Sequence, residues 1–426
     1  MANKADVLER INLWEETFLT DPRVTLPEIT TYIGSWDKTE KGSKFKNFKG
    51  IKYGKVSQRF QEASALEEHN LDTYAQAEGK RCPQIPYDSD MAEECLFLNI
   101  YTPREVHNAS VMVYIHGGSY QVGSGGQYLY APQFIMDYDV IMVTLNYRLG
   151  PFGFLSLESS AMPGNIGFRD QVLALEWIKN NIGYFGGNAN DITIFGESAG
   201  SFSVMYQVLS PLSTGLFTKA IAQSGAPFST YIHSSDHGKQ RKIALSMATQ
   251  FNCSSGNDYE ILACLEEQSV ESILLSQYVC TDESLICTFN TWDAVVDYYS
   301  ENPFLPNEPD ILVNIGEYAK IPMIIGVNSE EGIFSAADYI KHPSKFSDIN
   351  DNWDYTGPMI IFDIENPTPI DQARANIVKE FYLGDKNASM ETIHEVIDLY
   401  SDTIFWVGPH RYLKCKALHI DSEQIF

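Results

Sequence analysis

The sequence is poor in basic charge. Thirty Lys and Arg stand against 56 Asp and Glu, a formal net charge of −26 over 426 residues. Such a chain repels a phosphate backbone, which argues against nucleic acid as a partner. Long apolar runs are lacking too. Gly, Pro, Ser and Gln interrupt the charge-free segments, so none is a continuous run of membrane-spanning length. The opening stretch, MANKADVLERINLWEETFLT, has none of the apolar core of an export signal. No internal repeat, low-complexity tract or linker divides the chain, so residues 1–426 read as one domain.

What is present begins with an ordinary globular composition. Hydrophobic residues make up 44 % and charged residues 20 %, enough for a large core. Seven cysteines are scattered. Cys82 and Cys95 are near in sequence, as are Cys253 and Cys264, and Cys280 and Cys287, with Cys415 left over. Spacing alone leaves open whether any are bonded. Three sequons, at Asn108, Asn252 and Asn387, fit an exported protein, in tension with the polar N-terminus.

Along the chain, SVMVYIHGG (110–118) reads as a buried strand running into a glycine-rich loop, and YDVIMVTLNYR (138–148) as a second strand. GFRDQVLALEWIKNNIGYFGG (167–187) has helical spacing, with Val172, Ala174, Leu175 and Ile178 near one face and Gly186-Gly187 as a stop. FTKAIAQSG and IPMIIGVN (321–328) are further short apolar runs. Strands alternating with helices predict an α/β fold with a mostly parallel sheet. Residues 333–426 read as mainly helical, with loops such as HPSKFSDIND.

The segment ITIFGESAGSF (192–202) carries the chemistry. A β-branched run leads into Gly196-Glu197-Ser198-Ala199-Gly200, and a helix pattern follows. A serine hydroxyl attacks only when a base takes its proton. A sharp strand-to-helix turn presents such a serine at the end of a sheet, and small residues on both sides make the turn possible. Ser198 is therefore the candidate nucleophile. The competing expectation is a plain N-cap serine. Acyl transfer also needs donors for an oxyanion, best supplied by fixed backbone N–H groups. YIHGGSYQVGSGG (114–126) offers them at the Gly pair, Gly117 and Gly118, and Ala199 adds one at the positive end of its helix.

With these residues in view, the chain resembles the type-B carboxylesterases of the cholinesterase/carboxylesterase family. The likeness lies in FKGIKYGK, CPQ, ECLFLNIYTP, VYIHGGSY, NYRLGPFGFLS, the stretch 164–204, QSGAP and IIGVNSEEG. It implies an α/β-hydrolase fold, a serine nucleophile at Ser198, and oxyanion donors in the Gly117–Ser119 stretch and at Ala199. Many members carry Gly where this chain has Ser119. The resemblance further implies a triad acid at Glu331, rather than its neighbour Glu330, and disulfides Cys82–Cys95 and Cys253–Cys264. It implies small-molecule carboxylic esters as substrates, with neither cofactor nor metal.

The third triad member is not found. Four histidines follow Glu331, namely His342, His394, His410 and His419, and none follows a late strand as the fold's order requires. By resemblance the family's histidine, last strand and last helix lie beyond Phe426. The chain is thus expected to be a C-terminally shortened, poorly active serine esterase, the alternative being a non-catalytic binding or adhesion protein. Cholinesterases hold a quaternary ammonium against a Trp between the first two cysteines. Here that loop is PQIPYDSDMAEE, without Trp, so choline esters are not the expected substrate.

Overall fold

Eight short runs of the sequence pair into the main sheet. They are β1 (Ser35–Lys38), β2 (Lys44–Lys52), β3 (Phe97–Pro103), β4 (Ala109–Ile115), β5 (Ile141–Leu145), β6 (Gly187–Glu197), β7 (Lys219–Gln223) and β8 (Met323–Gly326). The computed structural model describes residues 20–27, 30–66, 72–228, 238–277, 292–364 and 366–417. The order across the sheet is β8-β7-β6-β4-β5-β3-β2-β1. The five strands from β8 to β5 run parallel, and β3, β2 and β1 follow as an antiparallel meander. The predicted parallel centre is therefore present, with three antiparallel strands that apolar runs alone did not announce.

Composition explains which strands are central. β5 (IMVTL) is buried at all five positions, and β4 is buried at five of its seven. Both match continuous apolar runs covered on two faces. β2 reads KFKNFKGIK, with Phe45 buried in one apolar cluster, Phe48 and Ile51 in another, a register shift between the last two, and its lysines at half-buried positions.

Two helices lie against this sheet beside the candidate site. Helix α1 (Ile166–Asn181) buries Val172, Ala174, Leu175 and Ile178, as its spacing predicted. It stops at Asn181, and a 3-10 turn (Ile182–Phe185) carries the chain to Gly186, whose φ of 89° suits glycine. Helix α2 (Ala199–Leu209) is buried along its whole length and packs on β6, β7 and β4. An apolar, all-round buried helix is what AGSFSVMYQVL supports.

Beyond β8 the described chain is helical, as expected. It includes α3 (Ile333–Lys341), α4 (Trp353–Phe362), α5 (Pro369–Leu383), α6 (Ile393–Ser401) and α7 (Val407–Ala417). HPSKFSDIND departs from its expected loop. Pro343–Lys345 forms a 3-10 turn and Phe346–Asp351 a short helix, because Phe346 and Ile349 are buried on one side. The cysteines join as Cys82–Cys95 and Cys253–Cys264, with Cα separations of 4.9 and 5.6 Å. Cys280 and Cys287 lie outside the described residues. No described helix is long and apolar enough to cross a membrane, and no described cluster of His, Cys, Asp and Glu is arranged to hold a metal.

Candidate active site

β6 ends at Glu197 and α2 starts at Ala199, so the turn between them is Ser198 alone. Its φ of 56° and ψ of −125° place a non-glycine residue in the left-handed half of the map, a conformation that lasts only where the surroundings impose it. Close packing imposes it. A Cβ on Gly200 would lie 2.0 Å from the Ile115 carbonyl oxygen, and one on Gly196 would lie 2.6 Å from the same oxygen. The Ser198 N–H donates to the Gln223 carbonyl and its carbonyl accepts from Phe202, both at 3.0 Å. Its side chain makes no capping bond to α2, unlike a plain N-cap serine. Ser198 is half-buried.

The glycine-rich loop after β4 touches this turn. A Cβ on Gly117 would meet the Glu197 carbonyl oxygen at 2.6 Å and Ser198 Cβ at 3.2 Å. The next three residues, Gly118, Ser119 and Tyr120, all have positive φ (112°, 55° and 57°). The Gly118 carbonyl closes the curl by accepting from Gln121 and Val122 at 2.9 and 3.0 Å. Among the described residues the N–H groups of Gly118, Ser119 and Ala199 donate to no protein acceptor. That of Ala199 is one of the open donors at a helix start. Buried or half-buried, with free N–H groups, these residues suit an anion.

Sequence reasoning passed over two side chains that hold this loop. His116 is fully buried, stacks on Tyr147 with ring centroids 4.4 Å apart, and bonds the Gly117 carbonyl through Nδ1 at 2.8 Å. Burial pulls its pKa from 6.5 down to about 4. A neutral ring bonding a carbonyl carries its proton on Nδ1, and Nε2 is buried with no partner among the described residues. A peptide's C=O and following N–H point opposite ways, so pinning the Gly117 carbonyl fixes the direction of the Gly118 N–H. Gln84 is the second brace. Its Nε2 donates to the Gly123 carbonyl at 2.8 Å and its Oε1 accepts from the Gly123 N–H at 2.9 Å. The Cys82–Cys95 bond anchors Gln84 two residues away.

Glu331 follows the end of β8. Its Oε1 accepts from the Ser224 hydroxyl at 2.6 Å and from the Asn328 N–H at 2.8 Å. Ser224 directly follows Gln223, the acceptor for the Ser198 N–H, so the Ser198 backbone and the Glu331 carboxylate are tied to adjacent residues. Ser224 has φ 65°, and its own N–H donates to Gly326 at 2.8 Å. A buried bond from the Gly332 N–H to Ser401 Oγ, at 2.7 Å, docks the backbone after Glu331 on the end of α6. Glu197 senses this carboxylate. Partial burial first, then the Glu331 charge, raises its pKa. Glu330 is exposed and faces elsewhere, adding to the upward shift that burial gives Asp398.

The histidines after Glu331 are not gathered here. His342 ends α3 and pairs with Asp338 at 3.9 Å. His394 and His410 are exposed on α6 and α7, and His419 lies outside the described residues. Among the described residues no histidine bonds Ser198 or Glu331. The geometry brings together a strained serine, free backbone donors and a braced carboxylate, the parts of an acyl-transfer site other than its base.

The model of the carboxylesterase family matches residues 21–422. Venom carboxylesterase-6 of Apis mellifera is 33 % identical over 414 residues, spanning 92 % of this chain and 72 % of that protein. Juvenile hormone esterase of Tribolium castaneum is 33 % identical over 396 residues, spanning 88 % of this chain and 67 % of that protein. The crystal structure of juvenile hormone esterase from Manduca sexta, with OTFP covalently attached, superposes with a TM-score of 0.78 at 28 % identity, covering 91 % of this chain and 74 % of that one. The chain therefore belongs to the carboxylesterase family, on the α/β-hydrolase fold.

Proposed function

We propose that the chain is a serine hydrolase acting on small carboxylic esters through an acyl-enzyme on Ser198. The observation that carries the reading is the left-handed Ser198 at the strand–helix turn, facing open backbone donors at Gly118, Ser119 and Ala199. Gly117, whose Cβ position falls beside Ser198, completes the oxyanion loop. The Ser198 oxygen adds to the ester carbonyl, the C=O electrons move onto oxygen, and the N–H groups stabilise that charge. The alcohol leaves, and water releases the acid. Glu331 is the triad acid, and its role is to orient a base and stabilise that base once charged. The loop between Cys82 and Cys95 has no Trp to hold a quaternary ammonium, which argues against choline esters.

No histidine described near Ser198 supplies the base, so turnover by this chain should be slow. A triad deprived of its base retains about 10³–10⁴-fold catalysis over water from the oxyanion site and binding. The purified chain should hydrolyse p-nitrophenyl butyrate at that residual level, unchanged by replacing His342, His394 or His410 with Ala. A full esterase rate that one of these replacements abolishes would identify the base and overturn the reading of those side chains. The same lack of a base among the described residues favours a second reading, a binding protein that holds an ester or acid without cleaving it. Turnover no faster than that of the Ser198→Ala variant would support it.

A further inference from the structure

In the esterase reading the Ser119 backbone has a role and its side chain has none. Ser119 is half-buried and holds φ 55°, between Gly118 at 112° and Tyr120 at 57°. The left-handed region costs a residue with a Cβ free energy that glycine is spared, so folding alone favours glycine at this position. Serines around the site commit their hydroxyls to the protein. Ser201 Oγ donates to the Gly225 carbonyl at 2.8 Å, Ser203 Oγ accepts from Gln171 at 3.0 Å, and Ser224 Oγ donates to Glu331 at 2.6 Å. Among the described residues the hydroxyls of Ser119 and Ser198 bond no protein atom. A polar side chain kept in a strained conformation, and left open beside a reaction centre, points to a ligand rather than to the fold.

We propose that the Ser119 hydroxyl is a further catalytic group, a side-chain donor to the oxyanion formed as Ser198 is acylated, a role that rests on the esterase reading. The Ser198 oxygen bonds the ester carbon, and the C=O π electrons move onto oxygen. The Ser119 O–H donates to that charge and keeps its proton. When the C–O bond to the alcohol breaks, the electrons return to re-form C=O, and the Ser198 proton ends on the departing alcohol. Nothing is oxidised or reduced, and Ser119 forms no covalent bond. A hydrogen bond to a charged oxygen is stronger than one to a neutral carbonyl. The hydroxyl therefore stabilises the transition state more than the bound ester, which is what lowers a barrier.

The neighbours of Ser119 take the other directions. A Cβ on Gly117 would meet Ser198 Cβ at 3.2 Å and Glu197 Oε2 at 3.0 Å, and one on Gly118 would meet the Val122 carbonyl oxygen at 2.1 Å. Tyr120 turns into the core, its ring 4.7 and 5.3 Å from those of Phe154 and Phe168. Core and loop interior are thus filled on either side. That leaves Ser119 the open side of the curl, where its own N–H is also without a protein acceptor. In both gauche rotamers a serine hydroxyl stands beside its own backbone nitrogen, so the O–H and the N–H converge on one acceptor.

The test measures how fast the full chain is labelled at Ser198 by two fluorophosphonates that differ only in carrying P=O or P=S. Sulfur accepts hydrogen bonds weakly, so a donor in the oxyanion site speeds the P=O probe and hardly affects the P=S probe. Ser119→Ala and Ser119→Gly should each slow P=O labelling roughly ten- to hundredfold, barely change P=S labelling, and so collapse the ratio of the two rates. Ser119→Gly should also unfold at no lower urea concentration than wild type, because glycine suits φ 55°. Slower labelling of that variant is then not a loss of folding. Variants labelled as fast as wild type, or slowed equally with both probes, would overturn the donor role and leave Ser198 standing. A folded wild-type chain that neither probe labels at Ser198 would overturn the esterase reading and this role with it.

Discussion

At the scale of single residues the site depends on buried groups that never meet a substrate. His116 stays neutral because burial pulls its pKa from 6.5 to about 4. The unfolded chain takes up that proton near pH 6.5 and the folded chain resists it. The contribution of this ring to stability is therefore whole above about pH 6.5, declines as pH falls, and levels off below about pH 4, a loss on the order of 3 kcal/mol. Urea unfolding of wild type and His116→Asn should show a stability difference that narrows steadily from pH 7 to pH 4. A constant difference would mean that the ring is not a buried neutral brace. Ser198 and the Gly pair stood out as candidates because glycines and a β-branched run mark a sharp turn in any sequence, whereas Glu331 was implied by the family resemblance alone. His116 and Ser224 did not stand out, since what makes them matter is a carbonyl bond and a carboxylate bond across the sheet, and neither leaves a spacing to read.

At the scale of elements, the crossing of β4 and α2 sets how near the donors come to Ser198. Gly200 is the contact point, with no room for a Cβ beside the Ile115 carbonyl. Gly200→Ala should force the helix off the strand, destabilise the fold by roughly 1–3 kcal/mol in chemical denaturation, and slow acylation of Ser198 more than tenfold. Wild-type stability and labelling in this variant would show the crossing to be loose. The parallel strands were legible as apolar runs ending in Gly or Asn. The meander strand KFKNFKGIK was not, because lysines share it with the buried Phe45, Phe48 and Ile51, which enter two separate apolar clusters across a register shift and so leave no alternating pattern to read. HPSKFSDIND looked like a loop for its polarity, but two buried side chains were enough to make it helical.

For the whole molecule, a net charge of −26 favours solubility while the sheet edge opposes it. β8 is the last strand on its side of the described sheet, with Ile324 65 % exposed. An open edge with aliphatic side chains invites pairing with another chain. Ile324→Lys should lower light scattering of concentrated protein severalfold without altering its circular dichroism. Equal scattering would place the sticky surface elsewhere. The central claim, that Ser198 is the nucleophile of a carboxylesterase-family site, is tested most directly by mapping a fluorophosphonate adduct by mass spectrometry. Incubation should be long enough for a serine with no base among the described residues to accumulate product. The account predicts one adduct, on the peptide containing Ser198, and its complete loss in Ser198→Ala. An adduct that survives that replacement, or a folded chain left unmodified at saturating probe, would contradict it.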